Sequence, residues 1–380
     1  VIYRMHVLFH DRWSSLDSSE NNLPFWLRVV RDKLSDYSPL PMPRGTVELS
    51  HSHDSERRNL RVFMLRLLLN QPVTTITTPF VHLLMKPILD CCLYDLCGVR
   101  HPSVNQASAE EPFHYMIRDV IFTIVDSWPG AFRKACELNH FLSDVSDECP
   151  LQHCTVVESA VSFLSYLLRH AYPAGDETEE FSDMARDNIG GVCALIRLWV
   201  GDNLDNGARI RNGLDLNPLI ELITAESAPT GGAHGKVSSK GTRGVRRRLC
   251  GLELLLCLAQ QGYPIISDSA DEGGVGEKIL AAVSSGCKYP RKEVSELSGS
   301  VAGALLRCMM VRYTPSGMQD SVRLVGLESK AEKFSKEVEC RLMSLLSMKN
   351  GPDSVACCVR AITKQYPSFL SREMLLRLFS

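Results

Sequence analysis

The feature that most constrains the fold of this chain is one pattern that recurs along most of its length. A stretch of apolar residues at helical spacing is followed by Pro, Gly or Asn, and then another such stretch begins. The chain has no comparable run of alternating β-branched residues, which is the usual signal of a strand. The stretches are Arg58–Asn70, Phe80–Cys97, Phe113–Trp128, Val156–His170, Met184–Val200, Val245–Ala259, Lys292–Val311 and Ser354–Tyr366. Each of them predicts a helix that buries one apolar face against its neighbours.

Repetition of this kind predicts an all-α protein built as an α-solenoid, a stack of helical hairpins. About fourteen helices, or seven hairpins of roughly 40 residues each, fit the chain, a period typical of degenerate HEAT repeats rather than of stricter repeat families. We expect one solenoid segment over residues 1–380, with loops near residues 35–57, 98–111, 201–217 and 226–244. Stacks of this type usually hold other molecules rather than transform them.

Helical spacing also predicts which side chains form the core, because residues three and four apart share a helix face. In the stretch that begins at Arg58, this face is predicted to hold Leu60, Phe63, Met64, Leu67 and Leu68. Other predicted core residues are Trp128, Val157, Val161, Leu164, Leu168, Ile189, Val192, Ile196 and Trp199. A kink is expected at Pro87, since an interior proline removes one helical hydrogen bond.

Charge and hydropathy exclude several classes of protein. The net charge is −2 at neutral pH, so no overall field draws the chain to nucleic acid or to an anionic membrane. The longest apolar runs, such as Val62–Leu69, fall far short of the ~20 residues that a bilayer span needs. Residues Val1–His10 include two basic side chains and no small-residue cleavage site, which does not suit a signal peptide. Because the chain also lacks an initiator Met, we expect a piece of a longer protein with no membrane partner.

The fourteen cysteines are placed like core residues rather than like a disulfide framework. Eight of them lie inside apolar helical stretches, where a thiol packs as a small hydrophobic group. These are Cys91, Cys92, Cys97, Cys193, Cys257, Cys308, Cys357 and Cys358. A chain long enough to bury its own core does not need covalent cross-links, so the sequence favours a reducing, cytosolic or nuclear compartment.

Basic residues concentrate in one segment, Lys236–Arg248, which is the best candidate for a functional surface. No acidic residue occurs from Ser227 to Leu252. If the three consecutive arginines begin a helix, part of this charge lies at the positive end of the helix dipole, where cations are disfavoured. Such a placement favours an outside partner with phosphate groups or acidic side chains, although a solvated basic loop also explains the pattern. The candidate phosphate- or partner-binding residues are Lys236, Lys240, Arg243, Arg246, Arg247 and Arg248.

No metal, cofactor or catalytic site is predicted. His51, His53 and Asp54 form a small cluster of donor residues, but a metal site usually needs a second cluster at a fixed spacing. The cysteines around Cys91 and Cys154 lack C-x-x-C spacing. The chain contains no G-x-S-x-G, no P-loop, no Asp-Phe-Gly and no His-Arg-Asp. We therefore expect a segment without enzymatic activity of its own.

Several short sequence motifs, called phrases below, also occur along the chain in the order in which one protein family carries them. The clearest of them runs from Phe113-His114-Tyr115-Met116 to Ser127-Trp128. The others are Asn22–Leu27 with Asp32–Leu34, Asn59–Phe63, Leu83-Leu84 with Pro87–Leu89, Leu252–Leu258 with Tyr263-Pro264, Tyr289–Val294, and Val359–Pro367. This order resembles the helical-repeat region of the PI3-kinase-related kinases, and among them the DNA-dependent protein kinases. The loops Pro39–Ser55 and Pro229–Thr242 depart from the family, which implies a divergent, non-vertebrate member.

The resemblance covers most of the chain, from Leu23 to Phe379, and implies a piece of the family's middle HEAT-repeat cradle. In the family this cradle supports a C-terminal serine/threonine kinase head that lies beyond the matching segment. With the Ku heterodimer it takes part in holding broken DNA ends in the nucleus for non-homologous end joining. The implied partners are therefore other HEAT and kinase regions of the parent chain, Ku and DNA ends. The resemblance carries no catalytic residue to this chain.

Two other functions remain open at the level of the sequence. One is a free-standing HEAT- or armadillo-type adaptor, for example of the nuclear-transport class, with Lys236–Arg248 as its binding element. The other is an enzyme whose site has no recognised motif. A reading frame that continues into a kinase domain would separate the scaffold segment from the adaptor.

Overall fold

The structure is a computed structural model of the chain, and it describes the greater part of the sequence. The described residues are 23, 25–36, 47–70, 80–97, 110–138, 155–172, 179–201, 210, 213–225, 239–263, 265–266, 274–289, 291–310, 321–346 and 351–369. Within these ranges, the description extends to the backbone alone at residues 47–54, 110–114, 138, 179–187, 239–243, 321–326 and 351.

The described part of the chain contains thirteen α-helices and no strand, which confirms the prediction of an all-α, solenoid-like fold. The helices are α1 (Phe25–Leu34), α2 (Val47–Leu69), α3 (Val81–Cys91), α4 (Glu110–Phe122), α5 (Ala131–Leu138), α6 (Val156–Arg169), α7 (Glu179–Ile196), α8 (Asn217–Ile223), α9 (Ser239–Gln260), α10 (Val275–Cys287), α11 (Lys292–Met310), α12 (Ser321–Leu346) and α13 (Gly351–Gln365). Three of them, α3, α4 and α7, continue into single π-helical turns at Cys92–Leu96, Thr123–Ser127 and Arg197–Gly201. A short 3-10 turn at Pro367–Phe369 follows α13.

Contacts between Cα atoms divide the chain into two compact units. The first unit comprises residues 1–166 and 205–214, and the second comprises residues 167–204 and 215–380. The sequence predicted a single segment over residues 1–380, and that continuity stays a prediction.

The second unit shows how its helices stack. Helix α9 contacts α8, the helix that precedes it in the chain, and also α7 and α11. Helix α10 contacts α8, α11 and α12. Helix α11 in turn contacts α13. Helices α9, α11 and α13 therefore form one row, and α8, α10 and α12 form a second row beside it. Contact with the neighbour and with the next helix but one is the packing expected of stacked helical hairpins.

Helices α11 and α13 of the first row can approach closely because glycine occupies two positions of α11 that face α13. A Cβ atom placed on Gly299 would lie 2.8 Å from the carbonyl oxygen of Cys358 on α13. A Cβ atom on Gly303, one turn later, would lie 2.5 Å from the carbonyl oxygen of Ile362. Glycine in a helix interior costs about 1 kcal/mol relative to alanine, so the close contact offsets a local penalty.

The first unit has a similar local pattern. Helix α3 contacts α1 and α5, α2 contacts α1 and α3, and α4 contacts the π-helical turn that follows α3. The helix α3 passes through Pro87 and changes to π-helical geometry at Cys92. The predicted kink at Pro87 stays a prediction.

Most predicted core positions are buried. Trp128 and Leu164 retain 3% and 0% of their accessible surface, respectively. The predicted face of α7 and of the π-helical turn that continues it is confirmed in full, since Ile189, Val192, Ile196 and Trp199 are all buried. On α6, Val157, Leu164 and Leu168 are buried and Val161 is half-buried.

The predicted core face of α2 is wrong at Leu60 and Phe63, while Leu68 is buried and Met64 and Leu67 are half-buried. Phe63 is 56% exposed and Leu60 is 37% exposed, and the buried residues are Arg61, Leu65 and Leu68. The physical reason is a charged partner: Arg61 lies on the buried face of α2 because its guanidinium pairs there with a buried carboxylate on the π-helical turn after α3. Apolar periodicity alone does not anticipate a buried arginine.

Two predicted loops are shorter than expected. The loop near residues 35–57 is wrong beyond residue 46, because α2 begins at Val47, after the last of the prolines and Gly45. The loop near residues 226–244 is wrong at its end, because α9 begins at Ser239 and runs through Gly241 and Gly244. Gly244 is buried, so tertiary packing there outweighs the low helix propensity of glycine.

Candidate basic surface and buried polar groups

The predicted basic site lies across the start of α9. Lys236 lies outside the described residues, and Lys240 and Arg243 are described in their helical backbone alone. The arginines Arg246–Arg248 do not begin the helix, because α9 begins seven residues before them, at Ser239. The helix dipole acts mainly within the first turn, so it does not disfavour these arginines.

The three arginines point in different directions, since consecutive residues on a helix are separated by about 100°. Arg246 is exposed, whereas Arg247 and Arg248 are half-buried between the buried positions Val245 and Cys250. Arg246 is therefore the described member of the segment that is best placed to meet a partner.

Arg248 has a structural role within the second unit. Its guanidinium carbon lies 4.6 Å from the centre of the Tyr289 ring, just after α10. Its Nη2 atom also donates a hydrogen bond of 3.5 Å to the carbonyl oxygen of Ala225, just after α8. A cation near a helix C-terminus and over an aromatic ring is favourable in both places. Arg248 thus links three helices, and the sequence did not reveal this role.

A buried ion pair in the first unit was also not predicted from the sequence. Arg61 on α2 binds Asp95 on the π-helical turn through two hydrogen bonds, and its Nη1 donates to the carbonyl oxygen of Asp36 at 2.6 Å. Arg58 donates to the backbone oxygen of Asp95 at 2.9 Å, and the Arg61 guanidinium lies 5.3 Å from the Tyr94 ring centre. The sequence signal that could have indicated this pair is Asp95 inside an apolar stretch, because a buried carboxylate needs a partner.

A second buried carboxylate, Asp90 on α3, is satisfied by two donors. Lys86 donates to its Oδ2 at 2.5 Å, and the Ser159 hydroxyl on α6 donates to its Oδ1 at 2.6 Å. In both clusters the charged groups pair with one another through hydrogen bonds, which favours a structural rather than a catalytic role.

The thiols beside these carboxylates are protonated. Burial raises the pKa of Cys91 well above its ordinary value, and the nearby Asp95 carboxylate raises it further. Burial likewise raises the pKa of Cys92 and of Cys97. Since the thiolate is the form that binds metals and attacks electrophiles, these three cysteines behave as core residues.

The described residues contain no group of three or more His, Cys, Asp or Glu side chains that could hold a metal ion. The side chains of His51, His53 and Asp54 and the cluster at residues 149–154 lie outside what the structure describes. Across the described helices, none has the length and apolar character needed to cross a membrane.

Comparison with known proteins adds no assignment. No match to this chain was found among protein-family models, curated proteins or solved structures.

Proposed function

We propose that this chain is a non-catalytic scaffold segment whose role is to hold other parts of an assembly in place. The observation that carries the proposal is the stacking in the second unit, where helices contact both their neighbour and the next helix but one. Such stacks form extended surfaces from successive repeats, and these surfaces can bind other molecules. Their interiors consist of side chains that pack the repeats together. The buried carboxylates of Asp95 and Asp90 are satisfied by partners within the chain, Arg61 for the first and Lys86 and Ser159 for the second, which suits a supporting role.

The parent molecule that we propose is a DNA-dependent protein kinase catalytic subunit, within the PI3-kinase-related kinases. The support is the ordered set of phrases, several of whose residues are core residues in the structure. Leu27, Ile88, Trp128 and Leu258, for example, retain at most 3% of their accessible surface. In this proposal the segment belongs to the nuclear HEAT-repeat cradle that supports the kinase head and, with Ku, holds DNA ends for non-homologous end joining.

The proposal is tested by capturing the natural protein on DNA. Nuclear extract is passed over beads that carry linear double-stranded DNA with free ends, and bound proteins are probed with an antibody to this chain. The expected result is end-dependent capture that is lost when Ku is depleted. The isolated 380-residue chain should transfer no phosphate from ATP. Capture that is independent of ends and of Ku would contradict the proposed partners and leave the free-standing adaptor as the better explanation.

A further inference from the structure

The second unit contains two pairs of cysteines from different helices whose thiols are in contact. The Cys257 thiol on α9 donates a hydrogen bond of 3.3 Å to the carbonyl oxygen of Cys193 on α7, and Cys287 at the end of α10 interacts with Cys358 on α13. All four are free thiols. Each pair brings two sulfurs from separate helices together, which is the first requirement for a cross-link.

The two pairs differ in their access to solvent. Cys287 and Cys358 are both 0% exposed, whereas Cys193 is 8% exposed and Cys257 is 3% exposed. Arg197, one turn beyond Cys193, is exposed at the surface, and its side chain also hydrogen-bonds to the Cys257 sulfur. The first pair therefore keeps a small exposed surface and has a cation at hand, whereas the second pair is fully buried.

The two thiols of the first pair have different acidities. The pKa of Cys257 is lowered because the Cys193 thiol donates to its sulfur, an effect that burial opposes and Arg197 reinforces. The same hydrogen bond raises the pKa of Cys193. The neutral Cys257 thiol also lies 3.3 Å from the Cys193 carbonyl oxygen, which favours its protonated form. Two donors directed at the sulfur outweigh this single acceptor, so Cys257 is the more readily ionised thiol.

We propose that Cys193 and Cys257 are a peroxide-oxidised site that forms a disulfide between α7 and α9. In the first step the Cys257 sulfur attacks one peroxide oxygen, so that an S–O bond forms, the O–O bond breaks and one water leaves. In the second step the Cys193 sulfur attacks the Cys257 sulfur, so that the S–S bond forms, the S–O bond breaks and a second water leaves. The two thiols lose two protons and two electrons, and the peroxide is reduced to two waters. This site is independent of the proposed scaffold function.

The test is a differential alkylation of the full chain after treatment with hydrogen peroxide. Free thiols are blocked in denaturant with one reagent, disulfides are then reduced, and the released thiols are labelled with a second reagent. We expect the second label on Cys193 and Cys257, a linked peptide containing both before reduction, and the first label on Cys287 and Cys358. The proposal is overturned if Cys193 and Cys257 carry the first label under conditions that oxidise the exposed Cys340.

Two variants test the roles within the pair, and thermal unfolding first establishes that each folds. In Cys193→Ser, Cys257 should accumulate as a sulfenic acid that a dimedone probe captures, and failure to capture it contradicts its role as the attacking thiol. Arg197→Gln should slow oxidation of the pair several-fold, because the cation that favours the Cys257 thiolate is lost. The matched control is Arg291→Gln, which removes another exposed arginine. Equal rates in the two arginine variants would contradict the role of Arg197.

Discussion

Arg61 and Asp95 form a bidentate ion pair in which Nε lies 2.7 Å from Oδ2 and Nη2 lies 2.8 Å from Oδ1. The residues are 4% and 2% exposed, so both charges depend on each other rather than on water. The pair joins the buried face of α2, which also carries Leu65 and Leu68, to the π-helical turn after α3.

Removing one partner of this pair should destabilise the chain strongly. Asp95→Ala leaves the Arg61 charge buried without its carboxylate, and the expected loss is about 3–5 kcal/mol of unfolding free energy. Chemical denaturation measures this loss. Arg133 and Glu137 provide the control, since their side chains are 67% and 62% exposed, and Glu137→Gln should change stability by about 0.5 kcal/mol or less. A loss for Asp95→Ala as small as that of the control would contradict the buried pair.

A methyl group at Gly303 should disturb the contact between α11 and α13. In Gly303→Ala the new Cβ meets the backbone of Ile362, which cannot rotate away, and the expected cost is about 1–3 kcal/mol. Gly190→Ala is the matched control, because Gly190 lies on α7 and, among the described residues, nothing outside its own helix backbone comes within 4 Å of its Cβ position. The control should raise stability by up to about 1 kcal/mol through helix propensity. Thermal unfolding measures the stability of both variants. Equal changes in stability would contradict the close approach of α11 to α13.

Two buried serines on α11 should respond in opposite ways to alanine. Ser295 donates a hydrogen bond of 2.7 Å to the Cys287 carbonyl oxygen, whereas the Ser298 hydroxyl has no hydrogen-bond partner among the described residues. Ser295→Ala should cost about 1–2 kcal/mol, and Ser298→Ala should raise stability by up to about 1 kcal/mol, since it removes an unsatisfied buried group. Both are measured by denaturant unfolding. A destabilised Ser298→Ala would show that its hydroxyl has a partner.

Acid should weaken the second unit through Glu337 on α12. Burial opposes ionisation of this carboxyl, but donation from Ser284 at 2.7 Å and from Arg341 at 2.8 Å brings its pKa below the ordinary value of 4.5. Because the folded pKa is the lower one, this contribution is present above pH 4.5 and is lost as the pH falls through the folded pKa.

The measurement for Glu337 is unfolding free energy as a function of pH. Glu337→Gln should flatten the acid limb of the curve below the ordinary pKa. Glu332→Gln, an exposed change on the same helix, controls for the lost negative charge. An acid limb that is identical in the parent and in Glu337→Gln would contradict the assigned contacts.

The arginines of the basic segment should separate into a binding role and a structural role. Arg246→Gln should weaken any binding to DNA or phosphate and reduce its salt dependence by about one unit of slope per lost phosphate contact. Arg248→Gln should instead lower stability, because it removes the contacts with Tyr289 and Ala225. Binding titrations at several salt concentrations and thermal unfolding distinguish the two. Unchanged affinity and slope in Arg246→Gln would support a solvated basic surface.

Helical spacing predicted the parts of the fold that depend on apolar periodicity. Leu164 and Trp199 are buried because apolar residues recur along their helices at three- and four-residue intervals. Arg61 and Arg248 could not be placed in this way, since their roles depend on Asp95 and Tyr289, which lie far away in the sequence. The start of α9 was missed for a related reason: the burial of Gly244 is a tertiary effect that local propensity opposes.

In the function that we propose, this segment belongs to the polypeptide of a DNA-end-activated kinase. The most direct measurement is to isolate the natural protein with an antibody to this chain and to map the single denatured band by peptide mass spectrometry. We expect a band far larger than the 42.4 kDa of this chain, with peptides of a kinase domain in the same polypeptide. A band near 42.4 kDa, with no peptides beyond these 380 residues, would contradict it.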